Sequence, residues 1–384
     1  MINTLILSDL HLGDTECLLY NNAYDIIDLT IEKIAKIAKS TDNNPFLKRL
    51  VLAGDIPDLS QADTNVAYAH TKCFLKRLLD RVQCEEIVYI PGNHDHHFWV
   101  ELIERIDAMC CGKAKGDYNN SKKTDRIIDG NDEIVKECTR KIIPDEFNGK
   151  VSISYPNYEF EVYDSHFFVT HGHYFSKYWC YFFPSLRNEE KLNLEMIEET
   201  TYKFTEAVWW RRKRFEPFLP IEFLYDYLLH GLPLYLKYKR KSFKRSNRKY
   251  GTSFEEDSTL GGENTIEMMK WYLEKICKID TLPKEKDFHL IYGHTHQGGR
   301  ILKKDAKIRI KGYFISLWNL GGWIVPSQLY SPDAYIFYVK EDEAERKAIP
   351  DMVKIVAKPE PEKGEGAGDY DRDLLELRLK RIGQ

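Results

Sequence analysis

The chain has 384 residues, of which 43% are hydrophobic and 30% charged, a composition typical of a folded globular protein with a sizeable core. Its formal net charge is only −4, which excludes a strong overall attraction to nucleic acid or to an anionic membrane, so any such preference must come from local patches. The eight cysteines show no CxxC pair or spaced framework, and no apolar stretch reaches the roughly 18 residues of a membrane-spanning helix, which together predict a cytoplasmic protein with free thiols.

The first hundred residues alternate between short apolar runs and stretches with apolar side chains at helical spacing. Apolar runs of this length predict buried strands, and the helical spacing predicts amphipathic helices. The predicted elements are strands at 3–7, 49–53 and 86–90 and helices at 21–39, 66–82 and 98–108. This βαβαβ order predicts a parallel sheet with helical crossovers.

The following part of the chain is richer in strands. Residues 112–150 are polar and are interpreted as a long excursion from the sheet. Further strands are predicted at 158–163, 166–170, 287–292, 307–318 and 334–339. The fold class predicted from this order is α/β, with two packed sheets flanked by helices in a four-layer αββα sandwich.

Residues 176–286 differ in character from the rest of the chain. They combine aromatic clusters, helical patterns and a strongly basic run at 237–249. We interpret them as a helical cap inserted into a sandwich formed by residues 1–175 and 287–345. Residues 346–384 are interpreted as a C-terminal tail, rich in Pro, Glu and Gly, that carries a short helix.

Five short polar motifs follow the predicted strands. They are Ser8-Asp9-Leu10-His11, Gly54-Asp55, Gly92-Asn93-His94-Asp95, Thr170-His171-Gly172-His173 and Gly293-His294-Thr295-His296. Open α/β sheets place their ligands at the carboxyl ends of the strands. Mixed oxygen and imidazole ligands without thiolate suit Mn²⁺, Fe, Zn²⁺ or Co²⁺ better than Mg²⁺ or Ca²⁺. The motifs therefore predict a metal site, in which two ions roughly 3.5–4 Å apart could clamp a phosphate oxygen.

Together, these motifs resemble the five motif blocks of the calcineurin-like metallophosphoesterases, present here in the same order. The resemblance covers residues 1–110, 155–175 and 285–340, and it implies a centre with two divalent metal ions, Mn²⁺ foremost. It implies the following ligands: Asp9, His11 and His296 for the first ion, Asp55 as the bridge, and Asn93, His171 and His294 for the second ion. It also implies that His94 is the general acid and that Asp58, in a GDxxD pattern, orients it.

The residues next to these blocks leave the substrate open. His96 and His173 are candidate substrate contacts, because each lies close to a predicted ligand. The basic run, which follows an apolar and aromatic stretch, admits a peripheral membrane contact and a lipid-linked substrate, a nucleic acid, or a solvated surface. Asn319-Leu320-Gly321-Gly322-Trp323 resembles the NxGxW turn of UDP-2,3-diacylglucosamine pyrophosphohydrolases, although the chain has His94 where that family has arginine.

The function implied is hydrolysis of a phosphodiester or diphosphate bond by a hydroxide held between the ions. Two alternatives remain: a nuclease that binds nucleic acid through the basic cap, and a non-catalytic scaffold that keeps the fold for binding. The scaffold is disfavoured, because such relatives would be expected to lose ligands or His94, and none is missing here.

Overall fold

The structure is a computed structural model that describes residues 2–15, 17–19, 24–39, 44–111, 126–129, 133–175, 198, 201–202, 205, 263–296, 299–300, 307–324 and 334–355. Its helices are α1 Tyr24–Ala38, α2 Thr64–Leu79, α3 His96–Cys111, α4 Glu133–Thr139 and α5 Glu263–Lys275, with 3₁₀ turns at His173–Phe175 and Ile279–Thr281. No helix in these ranges is long and apolar enough to cross a membrane.

The strands form two sheets. They are β1 Ile2–Leu7, β2 Phe46–Ala53, β3 Gln83–Ile90, β4 Arg126–Asp129, β5 Lys150–Tyr155, β6 Asn157–Val162, β7 Ser165–Thr170, β8 Asp287–Tyr292, β9 Gly299–Arg300, β10 Lys307–Ile310, β11 Tyr313–Asn319, β12 Tyr335–Asp342 and β13 Lys347–Lys354. The seven-stranded sheet has the order β13-β12-β1-β2-β3-β5-β4, and the six-stranded sheet contains β10-β11-β8-β7-β6 with β9 paired to β11.

Parallel strands lie at the centre of both sheets. In the first sheet β1, β2, β3 and β5 run parallel. In the second sheet β7, β8 and β11 run parallel. The carboxyl ends of parallel neighbours meet at one edge of a sheet, and open α/β sheets place their ligands at such edges.

Side chains of the central strands alternate between two apolar clusters. Ile6, Val51 and Val88 belong to the cluster between the sheets, which also contains Phe167 and Ile291 of the second sheet. Their neighbours along the strands belong to the larger cluster that includes the helices: Leu5, Leu7, Leu50, Leu52, Ile87 and Tyr89. This alternation is the strand period of two, and it confirms the two-sheet α/β architecture predicted from the sequence.

The region predicted as a polar excursion, 112–150, contains regular structure in its described part. It includes β4 and α4, and the sheet continues into β5. Strand β5 alternates serine with apolar residues, a weak strand signal. Its Ser152 and Ser154 are buried, and both hydroxyls have partners, because Ser154 Oγ donates to the carbonyl of Asn157 and Ser152 Oγ to Glu86.

Helix α5 lies in the range interpreted as cap, yet it packs against the second sheet. The Tyr272 hydroxyl donates to Asn157 Oδ1 at 3.0 Å, and its ring lies 5.3 Å from the ring of Phe175. Met268, Met269 and Leu273 share the large apolar cluster with residues of β8 and β11. This helix therefore forms an outer layer of the sandwich.

Two further boundaries differ from the sequence interpretation. The single strand predicted at 307–318 is a hairpin, because the chain turns at Lys311 and Gly312, where φ is 47° and 96°. Strand β13 pairs along its whole length with β12, so residues 347–354 belong to the first sheet, although they were assigned to the tail. The predicted tail helix and most of the predicted cap, including the basic run 237–249, lie outside the described residues.

Candidate metal centre

The motif side chains converge at the carboxyl ends of β1, β2 and β3 in one sheet and of β7 and β8 in the other. Three groups of these side chains have candidate ligand atoms within 4.8 Å of one another. The first ligand cluster contains Asp9, His11 and His296, and the second contains Asp55, His171 and His294; the third group joins His11 to Asp58 and His94. Each cluster draws on both sheets, so the two sheets must pack together before either cluster exists.

Asp55 lies between the two clusters. Its Oδ2 is 3.7 Å from His11 Nε2 and 3.2 Å from His171 Nε2. Asn93 contributes an amide oxygen to the second cluster, with Oδ1 2.8 Å from His171 Nε2 and 2.9 Å from His294 Nδ1. One carboxylate oxygen of Asp55 thus lies close to histidines of both clusters, while its other oxygen, Oδ1, accepts the backbone N–H of His94 at 2.7 Å.

Outer contacts set which imidazole nitrogens face the clusters. His11 Nδ1 lies 2.9 Å from Asp58 Oδ2, and His171 Nδ1 lies 3.2 Å from the carbonyl of Ala53. Both oxygens only accept, so each Nδ1 donates a proton to its oxygen and each Nε2 faces the clusters. This is the usual arrangement of a metal-binding histidine with its carboxylate or carbonyl partner.

The inward-facing nitrogens are also close to each other. His11 Nε2 and His296 Nε2 are 3.1 Å apart, and two lone pairs at that distance repel unless a cation or a proton lies between them. Burial opposes charge on His171, yet the carboxylates of Asp55 and Asp9 raise its pKa to about 9. Both clusters thus favour a bound positive charge, and their oxygen and imidazole donors fit a divalent metal ion.

The backbone is strained where it presents these ligands. Asp9, His11, Asp55, His294 and His296 all have φ between 47° and 66°, in the left-handed region that few non-glycine residues occupy. Such conformations cost on the order of 1–3 kcal/mol each and tend to cluster at functional sites. Their concentration here is independent support for a site at these strand ends.

Glycines make room for the ligands. A Cβ at Gly54 would lie 2.6 Å from the His171 ring, and one at Gly322 would lie 2.6 Å from His296 Cγ. A Cβ at Gly92 or Gly293 would collide with the carboxylates of Asp55 and Asp9 respectively. The glycines of the motifs are therefore required by close approach of the ligand side chains.

His94 lies beside the clusters with one side of its ring held by hydrogen bonds. Its Nδ1 is 3.1 Å from Asp58 Oδ2 and 2.6 Å from Ser60 Oγ. Ser60 Oγ in turn donates to Asp58 Oδ1 at 3.0 Å. Burial lowers the pKa of His94, but the charges of Asp58 and Asp55 outweigh it and raise the pKa to about 9.

Asp58 carries a full negative charge in this arrangement. Burial would raise its pKa, but the charges of His94 and His11 and their hydrogen bonds hold the pKa well below its usual range. One carboxylate oxygen thus contacts both His11 and His94, which couples a predicted metal ligand to the predicted acid.

The family model for calcineurin-like phosphoesterases matches residues 2–298. The chain belongs to this family. Its members hydrolyse phosphoester bonds and bind divalent metals, in agreement with the clusters described above. The comparison with curated proteins gives no match.

Two solved structures are similar to this phosphoesterase. One is a conserved uncharacterized protein from Streptococcus pneumoniae, described as a predicted phosphoesterase, with 10% identity, coverage of 92% of this chain and 90% of that one, and a TM-score of 0.29. The other is a single mutant of Vps29 from Entamoeba histolytica, with 8% identity, coverage of 91% and 98%, and a TM-score of 0.26. At these TM-scores, the two similarities support no argument about this chain.

The two candidate substrate contacts occupy different places in the phosphoesterase. His173 is buried 5.5 Å from the His171 ring and 6.3 Å from the His294 ring, and burial and the neighbouring imidazoles hold its pKa well below the usual range. His96 is buried between two residues of the 198–205 segment: Nε2 is 2.8 Å from Glu198 Oε1, and Nδ1 is 3.1 Å from Thr205 Oγ1. Both remain predicted substrate contacts, although His96 is engaged in a network of its own.

Asp95 is a supporting residue that the sequence interpretation did not single out. Its Oδ2 accepts the backbone N–H of Ile56 at 3.0 Å and the Tyr89 hydroxyl, and its Oδ1 accepts the N–H of Gly92. It thereby joins the loops after β2 and β3, which carry Asp55 and Asn93. Its position directly after His94 was the only signal available in the sequence.

The turn after β11 supports the opposite side of the centre. Asn319 Nδ2 donates to Thr295 Oγ1 at 2.7 Å, and Asn319 Oδ1 accepts the N–H of Gly321 at 2.8 Å. The N–H of Trp323 donates to the carbonyl of Asp9 at 3.1 Å. This motif therefore stabilises the loops of Asp9 and His296.

Proposed function

We propose that the protein is a binuclear metallophosphoesterase that hydrolyses a phosphodiester or diphosphate bond. The observation that carries this proposal is the pair of ligand clusters with Asp55 between them and His94 beside them. One ion would be held by Asp9, His11 and His296, and the other by Asn93, His171 and His294. Asp55 would bind both ions. Mn²⁺ is the favoured ion, since the ligands are oxygen and imidazole without thiolate; Fe, Zn²⁺ and Co²⁺ suit the same set.

When bound, two such ions supply positive charge for the phosphoryl oxygens and lower the pKa of bound water. The remaining chemistry belongs to the side chains. Asp55 and Asp9 provide the negative charge that concentrates cations at this edge. His294 stays neutral, because burial and the charge of His171 lower its pKa to about 3.

His94 is suited to protonating the leaving oxygen. With a pKa raised to about 9, it is protonated near neutral pH. Its Nδ1 is held by Asp58 and Ser60, so the proton available to substrate is the one at Nε2. An alkoxide or phosphate leaving group needs such a proton, and general acids typically contribute on the order of 10²–10⁴-fold.

The substrate class is less constrained than the chemistry. A lipid-linked diphosphate, a peripheral membrane contact and a nucleic acid each depend on the predicted cap, 176–286, which lies mostly outside the described residues. The domain limits and the cytoplasmic location likewise stay predictions. No contact in the described part of the chain favours the nuclease alternative.

The proposal is tested by turnover of the Mn²⁺-loaded protein on bis(p-nitrophenyl) phosphate and on p-nitrophenyl phosphate, with His94→Ala assayed in parallel. We expect the wild-type protein to cleave the diester and the variant to cleave it more slowly, with a larger loss on an alkyl diester, whose leaving oxygen needs the proton from His94 more. If the metal-loaded protein cleaves neither ester nor a lipid diphosphate, the fold serves binding and the proposal is wrong.

A further inference from the structure

Glu198 places a buried carboxylate against the sandwich. Glu198 is 4% exposed. Its Oε1 is 2.8 Å from His96 Nε2, and its Oε2 accepts the hydroxyls of Tyr155 at 2.7 Å and Tyr174 at 3.0 Å. The two hydroxyls are themselves 2.6 Å apart. A carboxylate removed from water to this extent is tolerated only with such partners.

The partners of Glu198 lie directly beside two motif loops. His96 is the first residue of α3 and follows the loop that carries Asn93 and His94. Tyr174 lies in the 3₁₀ turn that follows His171, and its ring is 4.0 Å from the ring of His173. One side chain from outside the motifs therefore joins the loop after β3 to the loop after β7.

Further contacts surround these hydrogen bonds. Tyr155 stacks on Trp99 of α3 with ring centroids 4.8 Å apart. Thr205 Oγ1 is 3.1 Å from His96 Nδ1 and 2.8 Å from the carbonyl of Thr201. His96 thus contacts the 198–205 segment through both ring nitrogens. Burial alone would raise the pKa of Glu198, but His96 and the two tyrosines hold it below its usual range.

The loops joined in this way supply Asn93 and His171, whose Oδ1 and Nε2 are 2.8 Å apart. The other cluster, Asp9, His11 and His296, is carried by the loops after β1 and β8. A loss of the Glu198 carboxylate would therefore act on one cluster and not on the other. The outer partners of metal ligands typically change metal affinity 10- to 100-fold when they are removed.

We propose that Glu198 is a positioning residue that fixes the loops of Asn93 and His171 and thereby sets the affinity of the second metal position. This inference rests on the proposed two-ion function and extends it to a residue outside the five motifs.

The experiment compares Mn²⁺ binding to wild-type protein and to Glu198→Gln by calorimetric titration and by metal content after dialysis. Glutamine keeps the size of the side chain but removes its charge. We expect the first ion to bind as in wild type and the second about 10- to 100-fold more weakly. Wild-type affinity for both ions, or equal weakening of both, overturns the proposal.

Two controls separate positioning from a general loss of structure. Glu86→Gln makes the same change at an ion pair, Glu86 Oε2 to Arg49 Nε at 2.8 Å, in the middle of β3 and away from the motif loops, and it should leave both affinities unchanged. If Glu198→Gln does not fold, Tyr174→Phe removes one bond to the same carboxylate, and it must weaken the second ion selectively or the proposal is wrong.

The failure of this inference is distinguishable from a failure of the proposed function. If wild-type protein binds two ions and cleaves a diester while Glu198→Gln binds both normally, only the role of Glu198 is refuted. If the wild-type protein itself binds fewer than two ions, the two-ion function fails, and the inference fails with it.

Discussion

The two sheets contribute different chemistry to the same centre. The loops after β1, β2 and β3 supply the oxygen ligands, Asp9, Asp55 and Asn93, together with His11, whereas the loops after β7 and β8 supply only imidazoles. Each ligand cluster contains side chains from both sheets. Carboxylates are therefore concentrated on one side and imidazoles on the other, and the proposed cation site is complete only where the sheets meet.

The two sides also differ in how their ligands are supported. On the first sheet, the support comes from side chains. Asp58 hydrogen-bonds His11 and His94, and Asp95 joins two loops. The histidines of the second sheet are supported mostly by backbone groups: the Ala53 carbonyl lies at His171, and Gly322 approaches His296 closely. We therefore expect side-chain substitutions on the first side to separate metal binding from catalysis most clearly.

The largest effect is expected from Asp55→Ala. Asp55 Oδ2 lies 3.7 Å from His11 Nε2 and 3.2 Å from His171 Nε2, so the substitution removes the oxygen ligand that we propose both positions share. Metal content by atomic emission should fall below one ion per chain, and diester turnover should approach the uncatalysed rate. Asp145→Ala, at an exposed ion pair with Lys72, is the control and should retain both ions. Two retained ions in Asp55→Ala would refute its bridging role.

His94→Ala should separate chemistry from binding. The His94 side chain hydrogen-bonds Asp58 and Ser60, and its contact with Asp55 Oδ1 is made by the backbone N–H at 2.7 Å. Alanine keeps that N–H, so metal content should match that of wild type. Turnover should fall by on the order of 10²–10⁴-fold, the usual contribution of a general acid. Undiminished turnover in this variant would show that another group protonates the leaving oxygen.

Asp58→Asn should move the pH dependence of kcat. In wild type the pKa of His94 is raised to about 9, so activity that needs its proton is present below that pH and is lost above it. Without the Asp58 charge the pKa of His94 falls, and the alkaline limb should shift to lower pH by on the order of one unit or more. The profile is measured with both proteins loaded with Mn²⁺, and an unmoved limb would contradict the coupling.

The smallest effect is expected from Ser60→Ala. Ser60 Oγ lies 2.6 Å from His94 Nδ1 and donates to Asp58 Oδ1. A neutral hydrogen bond is worth about 0.5–1.5 kcal/mol, which corresponds to a loss of a few-fold to about tenfold in kcat. The loss should be larger for an alkyl ester than for a p-nitrophenyl ester, because the poorer leaving group needs the proton more. An equal loss on both esters would indicate a purely structural role.

The ligands could be predicted because they combine two local signals. Asp9, Asp55, Asn93, His171 and His294 each follow an apolar run, and polar side chains at strand ends are visible without knowledge of the fold. The family resemblance then divided them between two ions, and the structure brings these side chains close together. The βαβαβ order of the first sheet could be predicted from hydrophobic periodicity, which is also a local signal.

The supporting residues could not be found in this way. Ser60, Asp95 and Glu198 act through contacts that depend on how separate loops pack, and serine, aspartate and glutamate have no distinctive spacing there. Strand β5 was missed because its buried serines mimic a loop, and β13 because it contains Pro350 and exposed polar residues typical of an edge strand. Tertiary pairing, rather than local pattern, determines these elements.

The most direct test of the two-ion account is electron paramagnetic resonance of the wild-type protein titrated with Mn²⁺. Two ions that share Asp55, with His11 on one side and His171 on the other, would be close enough for magnetic exchange. We predict that the spectrum of a coupled pair grows as the second equivalent binds and is absent in Asp55→Ala. A spectrum of isolated Mn²⁺ at every ratio would contradict the binuclear centre and, with it, the proposed mechanism.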